Sequence, residues 1–303
     1  MTVNSSASHE RGSSLDVIIV TYQSGADIGP CLRTLASATK NMAVRVLIVD
    51  NASEDDTLVQ IDAVKKRGDF SLLLIKNQYN AGFTRAVNQA AAFARADYIL
   101  FLNPDVRLEE DTLSALVRIL QQRPEVGIVA PQLRNSDGTI QPSCRRIPRR
   151  RDVLYSSLGL AAIFPHSAEF NGWKMGDFDH RHTREVAQPQ GAFLLCRRQV
   201  LETTGLWDEG FPMFFSDVDW CARVLAQGYR ILFEPSVFAT HGKGRSVYRR
   251  RPEMIVTSHR SFIRYFWKYG SSPRWWLPNA AVTVLLLLSG AIRFALSRSG
   301  FKV

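Results

Sequence analysis

Side chains with oxygen-bearing groups stand at the ends of the apolar runs in the first third of the sequence. Asp50 closes the run VRVLIVD, and Asp105 follows soon after the run YILFL. A carboxylate in such a position can bind a divalent cation, accept a hydrogen bond from a ribose or a base, or cap a helix. The full set is Thr21, Tyr22, Asp50, Asn51, Ser53, Asn80, Asn88, Asn103 and Asp105, and Gly82 lies between the two asparagines at 80 and 88. Because such groups follow successive apolar runs, we expect one ligand site rather than unrelated helix caps.

The apolar runs predict strands, and the segments between them predict helices. Continuous β-branched runs of this length are typical of strands buried on both faces of a parallel sheet. The expected strands are 16–21, 44–50, 72–75, 98–102 and 127–130, and the expected helices are 27–38, 53–66, 81–94 and 109–121, with Ser53 as an N-cap. This alternation indicates βαβ units, in which ligands lie at the carboxyl ends of the strands. The sequence therefore predicts an α/β fold with a mostly parallel central sheet flanked by helices.

The second half interrupts this alternation and then resumes it. Residues 135–188 contain several prolines and an arginine cluster, and we expect loops and short helices there. Further strands are expected at 191–196 and 229–233, and further helices at 198–204, 217–227 and 253–269. Gly228 is expected to end the helix at 217–227.

The composition indicates a globular protein with anionic partners. The chain has 303 residues, of which 46% are hydrophobic and 22% charged, and this is enough apolar material for a large core. Its net charge of +10 favours phosphates, nucleic acid or anionic lipid as partners. The 4 cysteines are scattered without a CxxC pair, which argues against a disulfide framework or a zinc knuckle. Residues 1–14 are polar and lack a secretory signal's apolar region, and we expect a disordered lead-in.

Two common nucleotide-binding motifs are absent from the sequence. The turn after the first expected strand reads YQSGADIG and lacks the GxGxxG pattern of a dinucleotide-binding fold. No GxxxxGK[ST] phosphate-binding loop occurs. Both of these classes are therefore excluded.

The ordered motifs resemble those of the family 2 inverting glycosyltransferases, which have the GT-A fold, and within them the rhamnosyltransferase-like branch. The matching segments are VTY at 20–22, VDNAS at 49–53, NAGF at 80–83 with Asn88, FLNPD at 101–105, GAFLL at 191–195, FFSDVDWCAR at 214–223 and HGKGRS at 241–246. The resemblance implies a glycosyltransferase domain over residues 15–246. Within it, residues 15–131 would form the nucleotide-sugar-binding half and residues 132–246 the acceptor and catalytic half.

The resemblance also implies a divalent metal ion, Mg²⁺ or Mn²⁺. In this reaction a sugar moves from a nucleoside diphosphate to an acceptor hydroxyl with inversion, and a metal can neutralise the departing diphosphate. Hard cations are often held by one or two carboxylates together with phosphate oxygens. Asp105 and His241 are the implied ligands. Asn103 replaces the first carboxylate of the family's DxD motif, which leaves a single carboxylate there.

Several residues are implied to bind the donor. Asp50 would contact the nucleobase or ribose, with Thr21, Tyr22, Asn51 and Ser53 beside it. Asn80, Gly82, Arg85 and Asn88 would form the next element, in which Arg85 reaches phosphate; the alternative for Asn88 is a buried structural amide. The remaining implied donor contacts are Asn103, Asp105, Gly191, His241, Lys243 and Arg245.

The resemblance assigns the catalytic base to Asp217. The family's ED-type motif maps onto residues 216 and 217, so Ser216 replaces the glutamate. A general base contributes roughly 10²–10⁴-fold to the rate. Asp219 is expected to interact with the helix dipole instead. The alternative for Asp217 is a helix cap.

The C-terminal part indicates contact with a membrane. Residues 277–292 carry no charge, and Arg274, Trp275 and Trp276 precede them. A spanning helix needs about 20 apolar residues, and tryptophan with flanking arginine is typical of an interfacial anchor. The alternative is a buried helix. We expect residues 247–303 to form a helical, membrane-associating segment.

The partners follow from this segment and from the basic clusters at 145–151 and 249–251. We expect them to favour anionic headgroups or a lipid diphosphate, and we expect no nucleic-acid partner, because no nucleic-acid-binding signature accompanies them. The predicted enzyme lies at the cytoplasmic face of the membrane, peripheral or anchored by its C-terminus. Its acceptor would be a polyprenyl-diphosphate-linked or other glycan.

The donor remains open between several sugars. dTDP-rhamnose is the first expectation, and transfer of galactofuranose or glucose from a UDP- or GDP-donor is the alternative. A non-catalytic, sugar-nucleotide-binding scaffold is the alternative from another class. The oligomeric state is open.

Overall fold

The structure is a computed structural model that describes residues 14–40, 42–242 and 251–298. The expected lead-in therefore lies almost wholly outside the described residues. So does most of the HGKGRS loop, including Lys243 and Arg245, together with the arginines at 249 and 250.

A mixed sheet of nine strands forms the centre of the described structure. Its strands are β1 (Ser14–Thr21), β2 (Ala43–Asp50), β3 (Ser71–Lys76), β4 (Tyr98–Leu102), β5 (Val106–Leu108), β6 (Val126–Arg134), β8 (Arg184–Glu185), β10 (Phe193–Arg197) and β11 (Arg230–His241); β7 (Cys144–Arg145) and β9 (Gln188–Pro189) form a separate pair. The order is β3-β2-β1-β4-β10-β6-β11-β5, with β8 on β11. β1 to β4 are parallel, β6 is parallel to β11, and β10 lies antiparallel between β4 and β6. The predicted mostly parallel sheet is confirmed.

Helices cover both faces of this sheet. They are α1 (Gly25–Ala38), α2 (Thr57–Arg67), α3 (Phe83–Ala91), α4 (Thr112–Gln122), α5 (Arg150–Ser157), α6 (Leu160–Ile163), α7 (Arg198–Thr204), α8 (Ser216–Ala226), α9 (Arg251–Lys268) and α10 (Trp276–Arg298), with a 3₁₀ turn at Pro273–Trp275. Alternate residues of β1 point to opposite faces. Val17 and Ile19 join α1, α2 and α4 in one apolar core, whereas Ile18 and Val20 join α3, α7 and α8 in the other.

A third, smaller core joins the C-terminal helices to the body. Val218 of α8 and Phe215, which directly precedes this helix, belong to this core. Their partners in it are Tyr265 and Phe266 of α9 and Leu286 of α10. The C-terminal segment is thus docked on the same side as α8. Within residues 273–297 one helical stretch is long and apolar enough to cross a membrane, and only 11% of its most apolar window is buried.

Two elements differ from the sequence expectation. The expected helix at 53–66 begins only at Thr57, because the Ser53 hydroxyl donates to Asp50 Oδ1 at 2.6 Å and accepts from the Gln23 N–H at 2.9 Å. Ser53 is therefore not an N-cap. The expected strand at 229–233 continues to His241, past a register irregularity between Glu234 and Phe238 that disrupts the alternating pattern in the sequence.

Candidate functional site

The predicted strand ends lie along one edge of the sheet. Thr21 pairs with Asp50 across β1 and β2, and the Asn103 N–H, just past β4, donates to the Ala192 carbonyl at 2.9 Å. Neighbouring strands are about 4.8 Å apart, so β2 and β10 are separated by roughly 14 Å. The Asp50 end, the Asn103–Asp105 turn and Gly191 therefore lie along the same edge.

Asp50 is enclosed by its own loop and by the end of the neighbouring strand β1. Its Oδ1 accepts hydrogen bonds from the Thr21 hydroxyl at 2.7 Å and the Ser53 hydroxyl at 2.6 Å, and its Oδ2 accepts the Ser53 N–H at 2.9 Å. The residue is 1% exposed. Asp50 thus joins the turn after β1, where Tyr22 lies half-buried, to the loop after β2. Its direct contact with a donor stays a prediction.

A chain of amides fixes the next loop. The buried Asn51 donates to the Gly82 carbonyl at 3.3 Å and accepts from Asn77 at 2.8 Å, and Asn77 also bonds to Gln89. Gly82 has φ +90°, a conformation that favours glycine, and its N–H donates to Asn80 Oδ1 at 3.0 Å. These bonds set where α3 begins.

Asn88 and Arg85 of α3 face the loop at 207–209. Asn88 donates to the Trp207 carbonyl at 2.9 Å and to Glu209, and its Oδ1 accepts the Trp207 N–H at 3.0 Å. Its amide is therefore used to hold this loop, and the expected contact of Asn88 with the donor has no support in this geometry. Arg85 is about half exposed and lies 3.8 Å from Glu209; its contact with phosphate stays a prediction.

Asp105, between β4 and β5, meets His241 at the end of β11. His241 Nε2 lies 3.4 Å from Asp105 Oδ1, and both side chains are largely buried. His241 Nδ1 lies 2.7 Å from Gln141 Oε1, and Gln141 Nε2 donates to Asn135 Oδ1 at 3.0 Å. Because Gln141 Oε1 can only accept, Nδ1 carries a proton, and Nε2 is the ring nitrogen that faces Asp105.

This pair fits a divalent metal that is completed by its substrate. A separation of 3.4 Å suits two ligands of one ion, and an imidazole whose other ring N–H is held by an acceptor is the usual metal-ligating arrangement. The described residues contain no group of three or more His, Cys, Asp or Glu side chains that could hold a metal. A metal here would therefore need further oxygen ligands, such as donor phosphates.

Asp217 lies at the start of α8, against the strand that begins at Gly191. Its Oδ2 accepts from Gln188 Nε2 at 2.8 Å and from the Gly191 N–H at 3.0 Å, and its Oδ1 accepts the Val218 N–H at 2.9 Å. Burial raises the pKa of this carboxyl above its usual range, although these hydrogen bonds oppose the rise. Phe215, with φ +69°, is the N-cap of α8, so Asp217 is not the cap.

Asp219, two residues on, has a structural role. It is fully buried and pairs with Arg223 at 3.0 Å and with Lys268 of α9, and it also accepts from the Tyr269 hydroxyl at 2.9 Å. These bonds tie α8 to α9. Asp219 was expected to interact with the helix dipole, and in the structure it also lies at the centre of a buried ion cluster.

The arginine cluster at 145–151 is divided by its partners. Arg146, Arg149 and Arg151 form ion pairs with Asp177, Asp152 and Glu169, respectively. Arg150 donates to Asn279 Oδ1 at 2.7 Å and lies over the ring of Trp275, so it joins α5 to α10. Arg145 alone of the five lines a large cavity beside the site.

The amide side chains that position the predicted site residues were not predicted from the sequence. Gln141, Gln188 and Asn77 each bond directly to a predicted site residue. Gln188 could have been suspected from the sequence, since it stands three residues before Gly191, where the GAFLL motif begins. Gln141 and Asn77 lie in loops, and only the fold brings them to their partners.

Comparison with known proteins gives consistent similarities. A family model described as Glycosyl transferase family 2 matches residues 16–202. The chain is 28% identical to an N-acetylglucosaminyl-diphospho-decaprenol L-rhamnosyltransferase of Mycobacterium tuberculosis over 274 residues. The match covers 86% of this chain and 86% of that protein.

Two solved structures have a similar fold. One is a mannosyltransferase from Pyrobaculum calidifontis in complex with GDP-Man and Mn²⁺, with a TM-score of 0.59 and 19% identity over 97% of this chain and 77% of that chain. The other is Staphylococcus aureus TarS 1-349 with UDP-GlcNAc, with a TM-score of 0.53 and 15% identity over 89% and 79%. The fold is that of the GT-A glycosyltransferases.

Proposed function

The chain belongs to glycosyl transferase family 2, and we propose that it transfers rhamnose from dTDP-rhamnose to a hydroxyl of a diphospho-lipid-linked N-acetylglucosamine or a related glycan. The relative that suggests this donor and acceptor is 28% identical over 86% of the chain. The product would serve cell-surface polysaccharide synthesis. The observation that carries the proposal is the position of Asp217, whose carboxylate lies at the same sheet edge as the Asp105–His241 pair.

The donor lies along the ends of β1, β2 and β4 in this proposal. Thr21, Tyr22 and Asp50 line the base and ribose end, and Asn103 lies beside the diphosphate. Asp105 and His241 would hold Mg²⁺ or Mn²⁺, and the bound metal would neutralise charge on the leaving diphosphate. Two relatives in fold were solved with Mn²⁺, which supports a divalent metal in general.

Asp217 acts as the base toward the acceptor hydroxyl. Gln188 and Gly191 each donate to Oδ2, whereas within the part of the chain that the structure describes Oδ1 accepts only the Val218 N–H. Oδ1 is therefore the oxygen that takes the proton as the new C–O bond forms on the face opposite the diphosphate. The raised pKa brings the strength of this base closer to that required near neutral pH.

The outer face of α10 lies on the membrane surface, at its cytoplasmic side. Leu277, Leu287, Leu288 and Ile292 are each more than half exposed, whereas Leu286 packs on the body. A helix held against the protein along one side and apolar on the other suits an in-plane position better than a spanning one. This position would bring the cleft close to a lipid-linked acceptor.

Two alternatives remain as outcomes of the test. Transfer of galactofuranose or glucose from a UDP- or GDP-donor would keep the same residues in the same roles. A non-catalytic scaffold would bind a nucleotide sugar without turnover.

The proposed function is tested with purified protein, Mn²⁺ and a short-chain prenyl-diphosphate-linked N-acetylglucosamine. The protein is offered dTDP-rhamnose, UDP-galactofuranose, UDP-glucose and GDP-mannose in parallel, and the product is identified by mass. Transfer of rhamnose supports the proposal, and transfer of a different sugar would identify another donor. Absence of transfer from every donor would contradict the proposal that the protein is a glycosyltransferase acting on this acceptor.

A further inference from the structure

A cavity of about 1390 Å³ opens beside the candidate site. Its walls include Gln190, next to Gly191, and Gln141, the partner of His241, so it is continuous with the candidate site. Arg145 and Lys174 also line it. The donor-side residues Thr21, Asp50 and Asn103 do not.

Arg145 lies one strand pairing from the proposed base. It pairs with Gln188 between β7 and β9, and Gln188 donates to Asp217. Its guanidinium Nη1 donates only to the Pro142 and Cys144 carbonyls. Among residues 14–40, 42–242 and 251–298, neither Arg145 nor Lys174 forms an ion pair with a carboxylate.

Lys174 joins this cavity to a second one below α10. That cavity, of about 330 Å³, lies between α5, α9 and α10 and is lined by Lys174, Leu286 and Arg293. Burial and the like charges of Arg145 and Arg293 lower the pKa of Lys174. The carboxylates that line these cavities lie close to other basic groups: Asp177 to Arg146, Asp152 to Arg149 and Asp179 to His182. Arg145 and Lys174 therefore repel one another, and an anion placed between them would relieve that repulsion.

We propose that Arg145 and Lys174 bind the diphosphate of the lipid-linked acceptor. This inference rests on the proposed function and adds a site for the acceptor. The acceptor sugar then lies between Arg145 and Asp217, with its reactive hydroxyl at the base and its diphosphate at the two cations. The lipid chain leaves past Lys174 toward the apolar side of α10.

The diphosphate of the donor is the other source of the same chemistry. It is expected at Asn103, Asp105 and His241, where a metal would offset its charge. Arg145 pairs with Gln188, the residue that donates to Asp217, and not with Asp105 or His241. The position of Arg145 therefore favours the acceptor.

The test measures equilibrium binding to the full chain, with the donor site filled by dTDP and Mn²⁺. The two probes are N-acetylglucosamine linked to farnesol through a diphosphate and the same sugar linked to farnesol directly. Lys174→Gln is the main variant, because the residue lies in the cavity walls but keeps part of its surface in solvent, so its loss should not affect folding. Arg151→Gln is the matched control, since it removes the same charge from a neighbouring residue already paired with Glu169.

We expect wild type to prefer the diphosphate probe. Lys174→Gln should raise its Kd roughly tenfold, as expected for one lost charge-assisted contact, and leave the Kd of the neutral probe unchanged. Lys174→Arg should restore most of the affinity, and Arg151→Gln should behave as wild type. Equal affinity of wild type for the two probes, or an equal effect of Lys174→Gln on both, overturns the proposal.

Two further measurements separate other sources of phosphate. A raised donor KM in Lys174→Gln, with unchanged probe binding, would assign the cations to the donor and overturn the inference. Loss of binding to phosphatidylglycerol vesicles, again with unchanged probe binding, would assign them to headgroups and also overturn it. Because the probes report binding without turnover, failure of the transfer assay contradicts the proposed function independently of this result.

Discussion

Gln141→Leu tests the proposed metal site through a residue that would not touch the metal itself. Gln141 Oε1 accepts a hydrogen bond from His241 Nδ1 at 2.7 Å, and this bond leaves Nε2 as the ring nitrogen that would bind a metal beside Asp105. Leucine has a similar volume but no acceptor, so the imidazole can place its proton on Nε2 instead. The change should therefore weaken metal binding without removing either ligand.

The magnitude follows from the burial of this contact. Loss of a partner that orients a metal-bound histidine lowers metal affinity by about 10–100-fold. His241 is 3% exposed, so its Nδ1–H would also be left without a partner, which destabilises the fold by about 1–3 kcal/mol. We expect both effects together.

The assay titrates Mn²⁺ at saturating donor and acceptor and records the concentration that gives half-maximal turnover. Gln141→Leu should raise this concentration about 10–100-fold, with much of the maximal rate recovered at high Mn²⁺. Gln132→Leu is the matched control, since Gln132 is also a buried glutamine of this region but bonds to the His180 carbonyl and to Arg134. An unchanged Mn²⁺ requirement in Gln141→Leu would refute the role of His241 as a ligand.

Three further predictions concern the base, the core and the membrane face. Gly191→Ala would place a Cβ 3.1 Å from Asp217 Cβ and should displace the carboxylate, so we expect kcat to fall about 10–100-fold with donor binding retained; an unchanged kcat would contradict the need for this close approach. Asp219→Asn removes the carboxylate paired with Arg223 and leaves Lys268 with Asp208 alone, and it should lower the free energy of unfolding by about 3 kcal/mol in urea titration, whereas an unchanged midpoint would argue against the buried cluster. The double substitution Leu287→Asp and Leu288→Asp on the exposed face of α10 should abolish sedimentation with vesicles without lowering Tm. Retained sedimentation would exclude this face of α10 from the membrane contact.

The elements of the nucleotide-side half were predictable because local sequence determines them. The runs at 16–21 and 44–50 are continuous and β-branched, and they form the buried strands β1 and β2. The helix ended by Gly228 was likewise predicted, since Gly228 has φ +85°, where glycine has no steric cost.

The parts that were not predicted depend on contacts between distant residues. Ser53 has the side chain of a good N-cap, but the buried carboxylate of Asp50 competes for its hydroxyl and delays the helix. Gln141 lies 100 residues from His241, and no local pattern indicates that pairing. Which arginines of the cluster at 145–151 form ion pairs also depends on where the fold places Asp177 and Glu169.

The pH dependence of kcat/KM in wild type and in Asp217→Asn tests the central claim most directly. Asp217 must be ionised to accept a proton, and burial raises its pKa, so activity should fall with decreasing pH at a higher value than an ordinary aspartate would give. Asp217→Asn should lose about 10²–10⁴-fold in kcat/KM and lose this acid limb, while its affinity for the nucleotide sugar stays as in wild type. Turnover within tenfold of wild type with the same acid limb would contradict Asp217 as the base.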